Sequence, residues 1–228
     1  MTGPRDRERN ADRSRAAILD AAEQLFAERG YAATSLSDVG THAGVSRGTP
    51  GYFFGSKAEL YRAVLGRCYE QVQVAVRSGR DRALASGRDR EEILAGAVGE
   101  YFDFLATHPN FVRLIERAAL AGDEMQHDAP PGLAAGQEAL AAISAELGLD
   151  PSPSGEAAQL LLSIISLCWF PLVHAGTVVP AVGVDLSSDA LRERRKQHVV
   201  ALVIHGLRGL YAEASSSPFP VSRSPFTA

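Results

Sequence analysis

An all-α chain is predicted: a three-helix head followed by a larger helical body. Three observations carry that prediction. Apolar residues recur at helical spacing in one segment after another. No stretch alternates apolar and polar residues as a half-buried strand does. One stretch, Ser35 to Lys57 (SLSDVGTHAGVSRGTPGYFFGSK), reads as two very short helices joined by a glycine turn and followed by the anchored start of a third. The 228 residues suffice for one large domain or two smaller ones, with a sizeable core.

Residues 1 to 12 are charged and mixed, and are expected to be disordered, arm-like, or a lengthening of the first helix. Arg5, Arg7, Arg9 and Arg13 there suit contact with phosphates or a minor groove. The first helix is expected over 13 to 29, with Ile18, Leu19, Ala22, Leu25 and Phe26 on one stripe. Tyr31 packs under the turn after Gly30. In the second helix Leu36, Val39 and Ala43 share one face. Ser35 stands before that face with Asp38 three residues on, the spacing of a capping box. Gly44 falls where a helix ends in a left-handed residue. Gly40, inside this helix, costs ~1 kcal/mol relative to alanine, which suggests a close approach to the first helix or a looser head.

Ser46 is expected to cap a third short helix running to about Phe54. On that reading Pro50 falls near the fourth helical position, where a missing N–H begins to matter. Gly48 and Gly51 loosen the segment further. Two short helices joined by a glycine-containing turn make the helix-turn-helix plan, whose second helix enters the DNA major groove.

Beyond Lys57 a long helix is expected to about Ser78, with Leu60, Val64, Cys68 and Val72 along one side. A polar loop from 78 to 90 follows, marked by Gly79 and Gly87. Further helices are expected over 89–107, stopped by His108-Pro109, over 110–121 and over 133–149. Between the last two, residues 122 to 132 read as a loop. Its Asp123, Glu124, His127 and Asp128 are solvated charges rather than metal ligands. The run from Leu160 to Val173 is the most apolar of the chain, yet shorter than the ~18 residues of a membrane span. A helix apolar all round is buried on all sides, so in one small domain a second chain is expected to cover one side of it. A last helix over 188–214 carries Val199, Val200, Val203, Ile204, Leu207 and Leu210 as a stripe. Residues 215 to 228 are expected to be disordered.

Net charge is −4, unevenly spread: residues 1–62 hold 9 Lys+Arg against 8 Asp+Glu, and the remainder 14 against 19. A phosphate backbone needs locally placed cations rather than a basic protein overall. The two cysteines, Cys68 and Cys168, have no metal-ligand spacing and read as free buried thiols. The N-terminus has no apolar stretch behind its charges, so a cytoplasmic location is expected. A Gly-rich phosphate loop, GxSxG and HExxH are all missing from the sequence, so no enzyme, cofactor or metal is expected.

Three segments in order carry a family resemblance. The first runs from Arg15 through Ile18-Leu19-Asp20-Ala21-Ala22 and Leu25-Phe26 to Gly30-Tyr31 and Thr34-Ser35. The second is Ala43-Gly44-Val45-Ser46 with Gly48-Thr49, and the third is Phe54 with Ser56-Lys57. Together they resemble the N-terminal domain of the TetR family of bacterial transcriptional regulators, over about residues 13 to 62. The resemblance implies a helix-turn-helix DNA-binding domain over 13–58 and a ligand-binding and dimerisation domain over 59–214. It implies a homodimer through the last two long helices, a palindromic double-stranded DNA operator, repression, and release by a small molecule of unknown identity. The family often reads LYxHF where this chain has Pro50-Gly51-Tyr52-Phe53-Phe54.

Candidate DNA contacts are Thr34 and Ser35, whose hydroxyls stand beside the free N–H groups of the helix they open. Ser46, Thr49 and Tyr52 can donate to the other strand. Lys57 resembles a family lysine whose partner is phosphate. Arg47 matches the O6 and N7 acceptors of guanine. Candidate effector contacts in the body are Tyr101, Phe104, Phe111, Trp169, Phe170 and His174, since pockets are mostly apolar with few polar groups. A dimeric adaptor with weakened DNA binding is the alternative that Pro50 and Gly51 leave open.

Overall fold

Ten helices build the chain in the computed structural model, which describes residues 4–121 and 131–216. Among the described residues every regular element is helical. The loop read over 122–130 and the tail from 217 onward lie outside them.

Helix α1 (Pro4–Arg29) starts well before residue 13, so the charged N-terminal stretch lengthens the first helix. Its stripe lies inside as expected, with Ile18, Leu19, Ala22, Leu25 and Phe26 all buried. Gly30, at φ +83, ends it in the left-handed region. Phe26, Tyr31 and Tyr61 then close the head, with edge contacts at 5.0 Å between Phe26 and Tyr61 and 5.2 Å between Tyr31 and Tyr61.

Helix α2 (Leu36–His42) opens on the expected capping box: Ser35 Oγ accepts from Asp38 N at 3.1 Å, and Ser35 N donates to Asp38 Oδ2 at 3.0 Å. Gly44 turns left-handed at φ +69. Helix α3 (Thr49–Phe54) corrects two expectations. Gly48 is its N-cap and no side chain caps it, so Ser46 is not the capping residue. Pro50 therefore stands at the second helical position, not near the fourth. An N–H there has no partner within the helix anyway, so the proline costs no hydrogen bond.

Gly40 is explained by the same packing. A Cβ on it would lie 2.8 Å from Ser46 O, 3.1 Å from Arg47 Cα and 3.3 Å from Pro50 Cδ. The close approach is thus to the turn into α3, not to α1.

Helix α4 (Lys57–Ala85) runs seven residues past Ser78, through the stretch expected to be a loop. Its glycine is a crossing point. A Cβ on Gly79 would lie 2.6 Å from Gly96 O, and one on Gly96 would lie 2.9 Å from Gly79 O. The two backbones touch where α4 crosses α5 (Arg90–Thr107), so the missing side chain serves a helix interface rather than a turn. Asp89 caps α5, its Oδ1 accepting from Glu92 N at 2.9 Å.

Helices α6 (Pro109–Ala121), α7 (Pro131–Leu147) and α8 (Glu156–Val173) follow. A short α9 (Val178–Ala181), unforeseen in the sequence, precedes α10 (Asp189–Ser216). The body packs α4 on α5 and α7, and α8 on α5, α6, α7 and α10. α6 also packs on α1, so body and head touch at two places, along α4 and along α6. One hydrophobic cluster runs without a break from Ile18 in the head to Leu207 in α10. Cys68 and Cys168 are free and buried in it, and burial pushes each thiol up to about 12.

By length and composition α8 could cross a membrane, being longer than its apolar run. It is not buried on all sides: Leu162 is 58 % and Phe170 51 % exposed, on one stripe. Within one chain an apolar face of α8 is thus left open, the side for which a second chain was expected.

Candidate nucleic-acid interface and body cavity

The outer face of the head is set by α2, the turn and α3. Arg47 and Ser46 are exposed in the turn, and Ser46 Oγ lies 2.6 Å from Thr49 Oγ1. Tyr52, on α3, is 86 % exposed with its ring edge-on to Phe53 at 5.5 Å. Nothing in the fold accounts for so exposed an aromatic ring. Four of the seven expected contacts, Ser46, Arg47, Thr49 and Tyr52, thus share one surface around the start of α3. The Arg15 guanidinium, over the Phe54 ring at 5.2 Å, adds a cation that the sequence reading had placed only in a motif.

The other three have work inside the fold. Thr34 is a correction: it is 2 % exposed, and its hydroxyl donates to Gly30 O at 2.9 Å and Leu25 O at 3.3 Å, tying the turn to α1. That side chain is not on the surface at all. Ser35 is exposed, but its hydroxyl is held by Asp38 Oδ2 at 2.6 Å. These bonds keep the Asp38 carboxyl below the usual carboxylate range. Lys57 Nζ donates to Tyr31 O at 2.9 Å and sits 4.3 Å from the Tyr31 ring centre. With a second bond to Ala32 O at 3.4 Å, its ammonium clamps the start of α4 to the turn after α1 and keeps one N–H to spare.

Arg117 makes the second joint between head and body. From α6 its Nε donates to Ala27 O and its Nη2 to Glu28 O, each at 2.9 Å. These are the last carbonyls of α1, which have no partner within the helix. One residue earlier, Glu116 Oε1 accepts the indole N–H of Trp169 on α8. Adjacent residues of α6 therefore hold the end of α1 and a ring of the body.

That ring lines a cavity of about 970 Å³ walled by α4, α5, α6, α7 and α8, at the upper end of small-molecule sites. Five of the six expected effector residues, Tyr101, Phe111, Trp169, Phe170 and His174, stand in its wall. Phe104 does not, and is corrected to core. It is 6 % exposed, stacked on His108 at 4.1 Å and edge-on to Phe111 at 5.4 Å. Helical spacing could not separate the two, because Tyr101 and Phe104 lie three residues apart.

Tyr69 and Glu116 line the cavity too, and the sequence reading missed both. Tyr69 falls on the expected core side of α4, one residue from Cys68, so nothing marked it. Glu116 looked like one more charge on an amphipathic helix.

Burial holds the Tyr101 and Tyr69 phenols above their ordinary value, so both are neutral hydroxyls. Toward the rim, Arg77 reaches Glu138 with two bonds of 2.6 Å, and Arg80 Nε reaches Glu146 at 2.9 Å. Both pairs tie α4 to α7.

The head and the whole chain have known counterparts. Residues 18–64 match the family model of bacterial regulatory proteins, tetR family. The chain is 36 % identical over 104 residues to the transcriptional activator FasR of Mycolicibacterium smegmatis, a stretch covering 46 % of each chain. It thus spans about half the length of that relative. It is 27 % identical over 216 residues to the transcriptional repressor NicS of Pseudomonas putida, covering 89 % of this chain and 96 % of NicS. The fold resembles a TetR family transcription regulator from Marinobacter aquaeolei, with a TM-score of 0.62 at 22 % identity, covering 86 % of this chain and 97 % of the other.

Proposed function

We propose that this chain is a member of the tetR family of bacterial regulatory proteins, whose family model its head matches, and a cytoplasmic, homodimeric regulator of transcription. It binds a palindromic operator through α3 and the turn before it, acts as a repressor, and is released by a small molecule in the body cavity. The observation that carries the reading is the surface at the start of α3. There, Ser46 and Arg47 of the turn and Thr49 and the 86 % exposed Tyr52 of α3 present donors on one surface. Such donors position a protein on phosphates and read base edges.

The relatives named above are regulators rather than enzymes, and one is named a repressor and another an activator. Pro50 at the second position of α3 weakens the case for an adaptor with a damaged head. Dimerisation is supported by the apolar stripe of α8, where Leu162 and Phe170 are open, and by Leu202 of α10, which packs on α8 and leaves this residue 44 % exposed. A dimer sets two α3 helices against DNA, and a separation of about 34–36 Å fits successive major grooves. The cavity supports effector control only if the effector binds the released state better. A switch from mostly bound to mostly free needs about a 10⁴-fold preference.

Selection of duplexes from a random DNA library with the purified protein tests this reading. The expected result is an enriched palindrome with fixed half-site spacing. A folded protein that enriches no sequence, with or without cell extract, overturns it.

A further inference from the structure

One carboxylate of the cavity wall, Glu116, has no ion pair among the described residues. Arg77 and Glu138 cancel, and so do Arg80 and Glu146. Arg90 lines the cavity as well, but as an exposed residue at the start of α5. Glu116 is half-buried, and its one partner among the described residues is the neutral N–H of Trp169, taken by Oε1. Oε2 has no partner there. The neighbouring cations do not help: Arg117 is spent on Ala27 O and Glu28 O, and Arg113 is exposed with no ion pair to Glu116. The nine residues after Ala121 contain Asp123, Glu124, His127 and Asp128 but no Lys or Arg.

A carboxylate among apolar walls without a counter-ion is unfavourable, and a cation brought to it relieves that cost. The rings beside it suit the same visitor. Trp169 meets Phe111 edge-on at 5.7 Å, and Phe111 meets Tyr69 edge-on at 5.6 Å. Aromatic faces attract cations, ammonium groups above all, and the attraction grows where water is excluded.

From this juxtaposition we propose that the cavity takes an organic cation with an apolar body. The ammonium or similar group sits between the Glu116 carboxylate and the Trp169 and Tyr69 rings. The apolar remainder lies along Val72, Ile93 and Ile143. The inference rests on the reading of the cavity as an effector site and assigns that effector's class. An anion is repelled by Glu116, and a neutral molecule gains at most a hydrogen bond from it.

Trp169 is the one tryptophan in the sequence, so its fluorescence reports occupancy of the cavity with no DNA present. Decyltrimethylammonium, decanol and decanoate, titrated below their micelle concentrations, share a tail and differ in charge. The cation is expected to bind about tenfold tighter than either other probe, the size of one ion pair or cation–π contact of ~1.4 kcal/mol. Glu116→Gln keeps an oxygen for the Trp169 N–H and removes the charge. It should weaken the cation by the same factor and leave decanol unchanged. Raising salt on the unaltered protein should weaken the cation more than decanol, which tests the charge without any substitution.

Decanol or decanoate binding as tightly as the cation overturns the proposal. So does an unchanged cation affinity in the Gln variant, or a failure of all three probes to move the fluorescence. Binding to the selected duplex is measured on the same preparation. Intact DNA binding beside a negative titration rejects this ligand class alone. Loss of sequence-specific binding beside a positive titration rejects the regulator reading and leaves the cation site standing.

Discussion

At the scale of single residues, the head is governed by steric fit as much as by hydrogen bonding. Gly40 and Pro50 each look like a weakness in a short helix, yet they belong to one contact. Removing the side chain at 40 lets Ser46 O and the Pro50 ring close onto α2. Gly40→Ala should therefore destabilise, against the ~1 kcal/mol that helix propensity offers alanine. Its Cβ would meet backbone, not a flexible side chain, at 2.8 Å. Overpacking of this kind costs about 1–3 kcal/mol. Urea unfolding should show the variant net less stable by about 1 kcal/mol, and a gain in stability would refute the packing account. Thr34 and Lys57 teach the same lesson from the polar side. Both carry groups suited to DNA, but the fold uses the Thr34 hydroxyl entirely and the Lys57 ammonium in large part.

At the scale of elements, α6 stands between cavity and head. Phe111, Ile115 and Glu116 face the cavity, while Arg117 grips the last carbonyls of α1. On the proposed function, a shift of α6 on filling the cavity would pull on the helix that supports α2 and α3. Arg117→Ala should leave Trp169 fluorescence titrations unchanged and reduce the effector's influence on DNA affinity by about tenfold, within the usual 1–3 kcal/mol of such couplings. Measuring DNA affinity with and without a saturating ligand checks it, and an unaltered ratio would exclude this joint. The crossing of α4 over α5 is the other element-scale device. Gly79 and Gly96 place two backbones in contact, stiffening the long α4 that starts in the head and ends beside the cavity rim.

At the scale of the whole molecule, the open stripe on α8 and the apolar side of α10 remain to be covered. Burial of apolar surface stabilises by about 25 cal/mol per Å², and a second copy offers the same stripe in return. Leu162→Glu should convert a dimer at micromolar concentration into a monomer by light scattering, with its helical circular dichroism retained. A dimer of unchanged strength would mean that another face forms the contact. Such a monomer should also bind its operator more weakly, because only one α3 then engages at a time.

The all-α class, nine of the ten described helices and the helix-turn-helix plan were legible in the order of residues, because they rest on local rules: periodicity, a cap at Ser35, a left-handed Gly44. Five residues of the cavity wall, Tyr101, Phe111, Trp169, Phe170 and His174, were legible too, but Tyr69 was not and Phe104 proved to be core. The roles of Gly79, Gly40 and Pro50 depended on which backbone lies opposite, and sequence spacing carries no information on that. The same holds for Thr34, whose hydroxyl is buried by α1, and for Glu116, whose solvated appearance on a helical wheel gives way to an aromatic cavity only once α8 brings Trp169 against it. Local conformation follows from neighbours in the chain, whereas burial, and with it the meaning of each glycine and each charge, is decided by the residues that folding brings near.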